Sequence, residues 1–293
     1  MFSTLSGTQK GILYALFGFS TFVISDSCAK WLSSYYPVMM IVGWTYVFSL
    51  MFGIVCSPLM GGLPRTLRTG KIRVHLGRGV FNFGLAITVV TAFQHLPLTS
   101  VYPVLFLAPF IITLMAWPIY GEAVKPVNWL VILIGFSGVV IAFQPWRGEV
   151  NPWIISAFLC MFCISGLSLL ARPLDQKETL LSLSFYPNVV NVAFLFTTSL
   201  FVYPLPAPEH LPVFMLGGVM LTCGMSGVAS ACRVTRYAIV VPLQYTQLIL
   251  VFMIGYFVFG ERPDGWMIAG SLVIAASGLL LVLSKKQPIV TEH

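Results

Sequence analysis

Apolar residues in this chain neither alternate with polar ones nor keep to one side of a helix. They run on for about twenty residues at a time, the length an α-helix needs to cross the hydrocarbon core of a bilayer, and short clusters of glycine, proline, lysine and arginine separate the runs. Ten such segments are expected, over 11–33, 38–59, 76–96, 98–119, 126–144, 152–172, 181–203, 211–232, 237–259 and 265–284. A membrane β-barrel would show shorter stretches of about ten alternating residues instead. The first segment reads as a retained helix and not as a cleaved signal, because Asp26 and Lys30 lie inside it and no small-residue cleavage site follows its apolar core. The pattern therefore predicts an all-α integral membrane protein with ten transmembrane helices.

Composition sharpens this. Charged residues are 9% of the 293, against about 25% in an ordinary soluble domain, so a water-soluble globular fold is excluded. Ten crossings also leave no room for a separate aqueous domain. With the N-terminus placed in the cytoplasm, 13 of the 16 Lys and Arg fall on the cytoplasmic side, and only Lys30, Arg147 and Arg262 fall outside. The positive-inside rule favours that orientation, and an even number of crossings returns the C-terminus to the same side. A multi-pass membrane protein is expected, with both termini cytoplasmic. The net charge of +7 is thus a topology signal. Its spread over short loops, without an aromatic-interleaved patch, argues against a nucleic-acid partner. Cys28, Cys56, Cys160, Cys163, Cys223 and Cys232 all fall in predicted helices. Cys160 and Cys163 form a CxxC with no second pair or nearby His to complete a metal site. No metal or other cofactor is expected.

An internal repeat comes next. A shift of 139 lays Val101 on Val240, Pro103 on Pro242, Phe106 on Tyr245, Gly121 on Gly260 and Glu122 on Glu261. The chain divides on this basis into residues 1–145 and 146–293, five helices each. An odd number makes the second copy enter the membrane upside down, which puts Glu122 on the cytoplasmic side and Glu261 outside. Inverted repeats of this kind suit carriers that alternate between inward-open and outward-open states.

Candidate chemistry is sparse and sits at membrane depth, where an ionisable side chain is a functional candidate by default. Asp26 and Lys30 lie four residues apart in the first segment, and Ser168 and Arg172 repeat that spacing in the sixth; such pairs share a helix face. Arg78 and Asn82 share a face of the third segment. Arg78 near its cytoplasmic end serves equally as an anchor or a gate. Pro103 and Pro242 lie inside the fourth and ninth segments, where proline bends a helix and frees a carbonyl. Phe106 and Tyr245 follow each by three residues and would wall a cavity for a planar or cationic metabolite. Thr222, Ser226 and Ser230 read as a close helix contact, His95 as interfacial, and Trp31, Tyr35, Tyr36 and Trp44 as an aromatic belt. Scattered His, no HExxH and no Walker sequence argue against an enzyme and against direct use of ATP.

Several stretches carry a family resemblance: Asp26-x-x-x-Lys30, His75-Leu76-Gly77-Arg78-Gly79, Phe106-Leu107-Ala108-Pro109, Gly121-Glu122, Gly135-Phe136-Ser137-Gly138-Val139 and Gly260-Glu261-Arg262-Pro263-Asp264. In this order the whole chain resembles the drug/metabolite transporter superfamily with two EamA-type halves. Within it the chain is most similar to the branch of S-adenosylmethionine and riboflavin transporters, which also shows a motif like Glu178-x-x-x-Ser182-x-x-Phe185-Tyr186. Tyr46 stands where that branch usually has an Arg, and Ser168 where it has an acidic residue. The resemblance implies a secondary transporter working by alternating access, with a small-molecule substrate such as S-adenosylmethionine or a related cationic, aromatic metabolite. Protons or a counter-substrate would be the driving partner. The alternatives are an amino-acid or riboflavin carrier of the same superfamily and, in another class, a non-transporting membrane component or enzyme.

Overall fold

The computed structural model of the chain describes residues 6–121, 124, 126–148, 151–174, 178–198 and 205–284. Among these the regular elements are all helical. They are α1 (Gly7–Leu32), α2 (Val38–Val55), α3 (Leu63–Thr66), α4 (Ile72–His95), α5 (Leu98–Leu105), α6 (Ala108–Tyr120), α7 (Pro126–Phe143), α8 (Ile154–Leu169), α9 (Leu180–Thr198), α10 (Leu211–Val234), α11 (Tyr237–Leu243), α12 (Gln247–Phe259) and α13 (Gly265–Ser284). With α5–α6 and α11–α12 each taken as one interrupted passage, eight of the passages are long and apolar enough to span a bilayer, and α8 and α9 are shorter apolar helices. The ten passages fall on the ten expected segments. The second was expected to reach residue 59 but stops at Val55, where a 3-10 turn over Ser57–Met60 leads into Gly61 at φ 105°.

The bundle is apolar outside and polar at selected points inside. Leu130, Leu133, Ile249, Phe257 and Leu272 are each more than half exposed, whereas Ser49, His75, Asn82, Asn188, Asn191 and Thr222 are buried. In water this would be inverted; in hydrocarbon, the apolar shell is the solvent-facing surface, and helices satisfy their own backbone groups. Below, the near face is the end of the bundle where α1 begins, and the far face is the opposite end.

Helix pairings follow a pattern. α1 packs on α10 and α4 on α8; α2 packs on α10 and α4 on α9; α7 pairs with α13 and α2 with α9. Exchanging each passage for the one five later maps this set onto itself. α7 and α13 meet backbone to backbone, where a Cβ on Gly138 would stand 2.8 Å from the carbonyl oxygen of Gly270. Small residues let membrane helices meet backbone to backbone, where dispersion contacts hold them.

The two interrupted passages break at matching places. α5 ends at Leu105 and α6 restarts at Ala108; α11 ends at Leu243, a 3-10 turn spans Gln244–Thr246, and α12 restarts at Gln247. A shift of 139 carries Ala108–Tyr120 onto Gln247–Phe259. Pro103 and Pro242 lie inside the first piece of each passage, where the missing N–H and the ring clash weaken the turn. Both second pieces end on a glycine in the left-handed region, Gly121 at φ 70° and Gly260 at φ 65°, a conformation that Gly adopts at little cost.

Candidate functional site

The breaks bring the predicted aromatic pair together: the rings of Phe106 and Tyr245 are 5.2 Å apart, and Tyr102 meets Phe106 edge-on at 5.8 Å. Beside them on α1 is Asp26, whose Oδ2 accepts a 2.7 Å hydrogen bond from the buried Tyr102 hydroxyl. Tyr46 of α2 and Cys160 of α8 belong to the same buried cluster as Tyr102 and Phe106. The first and fourth passages therefore meet at one acidic group, beside two aromatic walls.

Lys30 is not the partner of Asp26, contrary to the shared face expected from their spacing. Its Nζ donates to the carbonyls of Phe93 and Leu96 at 2.7 and 2.6 Å. The last carbonyls of a helix lack intrahelical donors, and a lysine near a helix C-terminus also suits its dipole. Lys30 thus fastens the far-face end of α4 and leaves Asp26 to Tyr102.

Glu261 takes the other half of the same corner. Its carboxylate accepts from the backbone N–H groups of Leu98 and Thr99 at 2.7 and 3.0 Å, and from the Thr99 hydroxyl at 2.8 Å. It therefore caps the first turn of α5, the element that carries Tyr102 and Pro103. Thr99, Gln144, Glu261 and Asp264 line a far-face cavity of about 420 Å³. Glu122, its expected counterpart, lies outside the described residues.

On α4, Arg78 and Asn82 do share an inward face. Asn82 Nδ2 donates to the Tyr46 hydroxyl at 3.1 Å. Arg78 is 7% exposed, which removes the reading of it as an anchor in the headgroups, and its Nε and Nη1 have no hydrogen-bond partner. Sequence reasoning missed the residues opposite. Asn188 of α9 donates to Ser49 Oγ at 2.8 Å, Asn191 donates to its own helix at Pro187, and the side-chain oxygen of each is buried without a donor. Two asparagines three apart in an apolar segment were the available signal.

At the near face, Glu178 ties neighbouring elements together. Its carboxylate accepts from Thr69 Oγ1 at 2.6 Å and pairs with His75 Nε2 at 3.4 Å, while Arg233 holds its backbone carbonyl and Lys71 holds that of Pro173. Burial pushes the carboxyl up, but hydrogen bonds from Thr69, Ser182 and His75 outweigh it and hold Glu178 below the usual carboxylate range. The His75 ring packs against Tyr186 in a tilted arrangement at 4.7 Å, so the Glu178 to Tyr186 motif is a seam between α4 and α9.

Ser168 and Arg172 do not form a second inward pair. α8 ends at Leu169, so the four-residue spacing leaves the helix before it reaches Arg172; Ser168 bonds back to Ile164, and Arg172 lies over the ring of Tyr120 at 5.0 Å. The aromatic residues at the far face also pack on one another. Trp31, Tyr35 and Tyr36 gather around His210, whose Nδ1 is 2.7 Å from the Tyr36 hydroxyl, and Trp44 packs on Phe48 at 6.2 Å. His95 is exposed and stacks on Trp153, in keeping with an interfacial place. Thr222 binds Ser49 through its hydroxyl, a helix contact as expected. The six cysteines are free, and the described residues hold no His, Cys, Asp or Glu cluster fit for a metal.

Residues 9–144 match the EamA-like transporter family. The S-adenosylmethionine uptake transporter of Rickettsia prowazekii is 23% identical to this chain, over 97% of this chain and 96% of its own. A riboflavin transporter of Rhizobium johnstonii is 23% identical over 93% and 90%, and a pseudopaline exporter of Pseudomonas aeruginosa 23% over 95% and 98%. One solved crystal structure superposes with a TM-score of 0.66 at 17% identity, covering 94% of this chain and 99% of the other, a likeness of fold. The three named relatives are transporters, not enzymes.

Proposed function

From a multi-pass membrane chain whose residues 9–144 form an EamA-family domain, we propose a secondary carrier that moves a small metabolite with a cationic and an aromatic part, S-adenosylmethionine or a close chemical relative. The observation that carries this reading is the Asp26 carboxylate held by Tyr102 next to the helix breaks, with Phe106 and Tyr245 at its side. A carboxylate attracts a cation, and aromatic faces add stacking and cation–π contact. Broken helices at matching places in two halves are the usual setting of a carrier's binding site.

The two halves, residues 1–145 and 146–293, act as inverted repeats around that site. Their exchange of conformation opens the near and far faces in turn: the Glu178 seam closes one side, and the corner fastened by Lys30 and Glu261 guards the other. The charge distribution supports a near face in the cytoplasm of an inner membrane, with both termini there. Asp26 passes between a cationic substrate and its replacement, a proton or a counter-substrate, as access alternates.

Labelled S-adenosylmethionine, riboflavin and several amino acids, offered to liposomes that contain the purified protein, test the reading. Saturable S-adenosylmethionine flux above that of empty liposomes is expected, with loss in Asp26→Asn. Flux no greater than in empty liposomes, or flux that Asp26→Asn leaves unchanged, overturns it.

A further inference from the structure

Eight side-chain atoms in the described residues are buried without a hydrogen-bond partner, and five of them sit on just two helices: Arg78 Nε and Nη1 and His75 Nδ1 on α4, and the Asn188 and Asn191 oxygens on α9. The two helices are in contact, since a Cβ on Gly79 would stand 2.8 Å from Val190 Cβ and the His75 ring packs against Tyr186. Their polar faces also converge on a single stretch of α2. Arg78 and Asn82, four apart, share a face that reaches Tyr46; Asn188 and Asn191, three apart, share one that reaches Ser49; Tyr46 and Ser49 are three apart themselves.

A buried guanidinium with idle donors is costly, and loss of its partner in a protein interior is among the more damaging changes known. His75 Nε2 faces Glu178, and its remaining ring nitrogen, an acceptor in the neutral form, is buried without a donor. The unmet groups are therefore the cationic donors of Arg78 and the uncharged acceptors of His75, Asn188 and Asn191. Their complement is a small group with an anionic acceptor and a cationic donor fixed side by side.

We propose that this junction of α2, α4 and α9 seats an α-amino-acid head group. Its carboxylate is taken by Arg78, and its ammonium by the side-chain oxygens of Asn188 and Asn191. The inference rests on the carrier reading above and extends it: Tyr46, bonded to Asn82 and buried in the same cluster as Tyr102 and Phe106, links this seat to the aromatic site. A substrate with an amino-acid tail at one end and a cationic, aromatic part at the other fits both at once. Planar guanidinium is well matched to carboxylate.

The full chain in lipid nanodiscs is titrated with S-adenosylmethionine, with its analogue that lacks only the carboxylate, and with methionine and phenylalanine against their decarboxylated amines. The wild type is expected to bind each carboxylate-bearing member about tenfold to hundredfold tighter than its amine, the worth of hydrogen bonds to a charged group. Arg78→Gln is expected to erase that ratio without weakening the amines further, and Asn191→Ala to weaken all the probes that keep the ammonium. Equal affinity for acid and amine in the wild-type protein overturns the proposal, as does an unchanged ratio in Arg78→Gln or the failure of every carboxylate-bearing probe to bind. The wild-type comparison needs no variant to fold. If S-adenosylmethionine does not bind but free amino acids do so with the Arg78-dependent ratio, the head-group seat stands and the S-adenosylmethionine reading falls. If S-adenosylmethionine is transported with no acid–amine difference, the reverse holds.

Discussion

At the scale of single residues, the chain assigns its few charges to distinct tasks. Asp26 has a hydroxyl for a partner and no lysine, so removing its charge leaves no orphaned cation behind, and Asp26→Asn keeps both the shape and an acceptor for Tyr102. The expected outcome is normal folded yield and an initial flux lower by a factor of about ten or more, the worth of one charge-assisted contact, read at matched protein amounts across external pH. Wild-type flux and pH response in that variant would return Asp26 to a structural role. Lys30 differs, because its two bonds go to backbone carbonyls at the end of α4. Lys30→Gln should lower the melting temperature in detergent and change flux less than Asp26→Asn does. A larger flux loss for Lys30→Gln than for Asp26→Asn would mean that the lysine, not the carboxylate, meets the substrate.

At the scale of elements, the carrier reading makes the interrupted passages and the Glu178 seam the parts that change. Pro103→Ala and Pro242→Ala restore a donor and relieve the ring clash, so each should lengthen the first piece of its passage and slow transport while the folded yield holds; unchanged flux in both would make the breaks a matter of packing. These breaks were legible in the sequence, since proline inside an apolar run has few other meanings and the repeat placed the two in register. What the elements touch was not legible: Lys30 binds carbonyls more than sixty residues away, and Glu261 caps a helix that begins 163 residues earlier. Local spacing placed Asp26 and Lys30 on one face and could not choose between partners on other passages. It failed outright for Ser168 and Arg172, where the helix stops short. The Glu178 seam has its own signature. Its carboxyl is held below the usual range in the folded protein, so its contribution is present above the ordinary carboxylate pKa and is lost as pH falls through the folded value. As pH falls from about 5 to about 3, across the ordinary glutamate value of about 4.3, the wild-type protein should lose melting temperature more steeply than Glu178→Gln, which should start lower and decline less; parallel curves would exclude Glu178 as the acid-sensitive contact.

At the scale of the whole molecule, the pairing pattern constrains how the bundle can move. Because α1 on α10 has its counterpart in α8 on α4, and α2 on α10 in α9 on α4, each half donates its first two passages to the third passage of the other. On the inverted-repeat proposal, a rearrangement that loosens one set of crossings would tighten the equivalent set at the opposite face. The inversion requires equivalent loops to face opposite sides of the membrane. Arg68, between the second and third passages, and Glu209, between the seventh and eighth, are both exposed and occupy corresponding connections of the two halves. In a background with the six native cysteines replaced, Glu209→Cys should react with an impermeant maleimide added to intact cells, and Arg68→Cys only after permeabilisation. The reverse assignment would preserve the inverted repeat but overturn the cytoplasmic placement of the near face argued from the 13-to-3 charge split. Reaction of both from the same side would overturn the inversion itself, and with it the idea that the matching breaks in α5–α6 and α11–α12 exchange roles during a cycle.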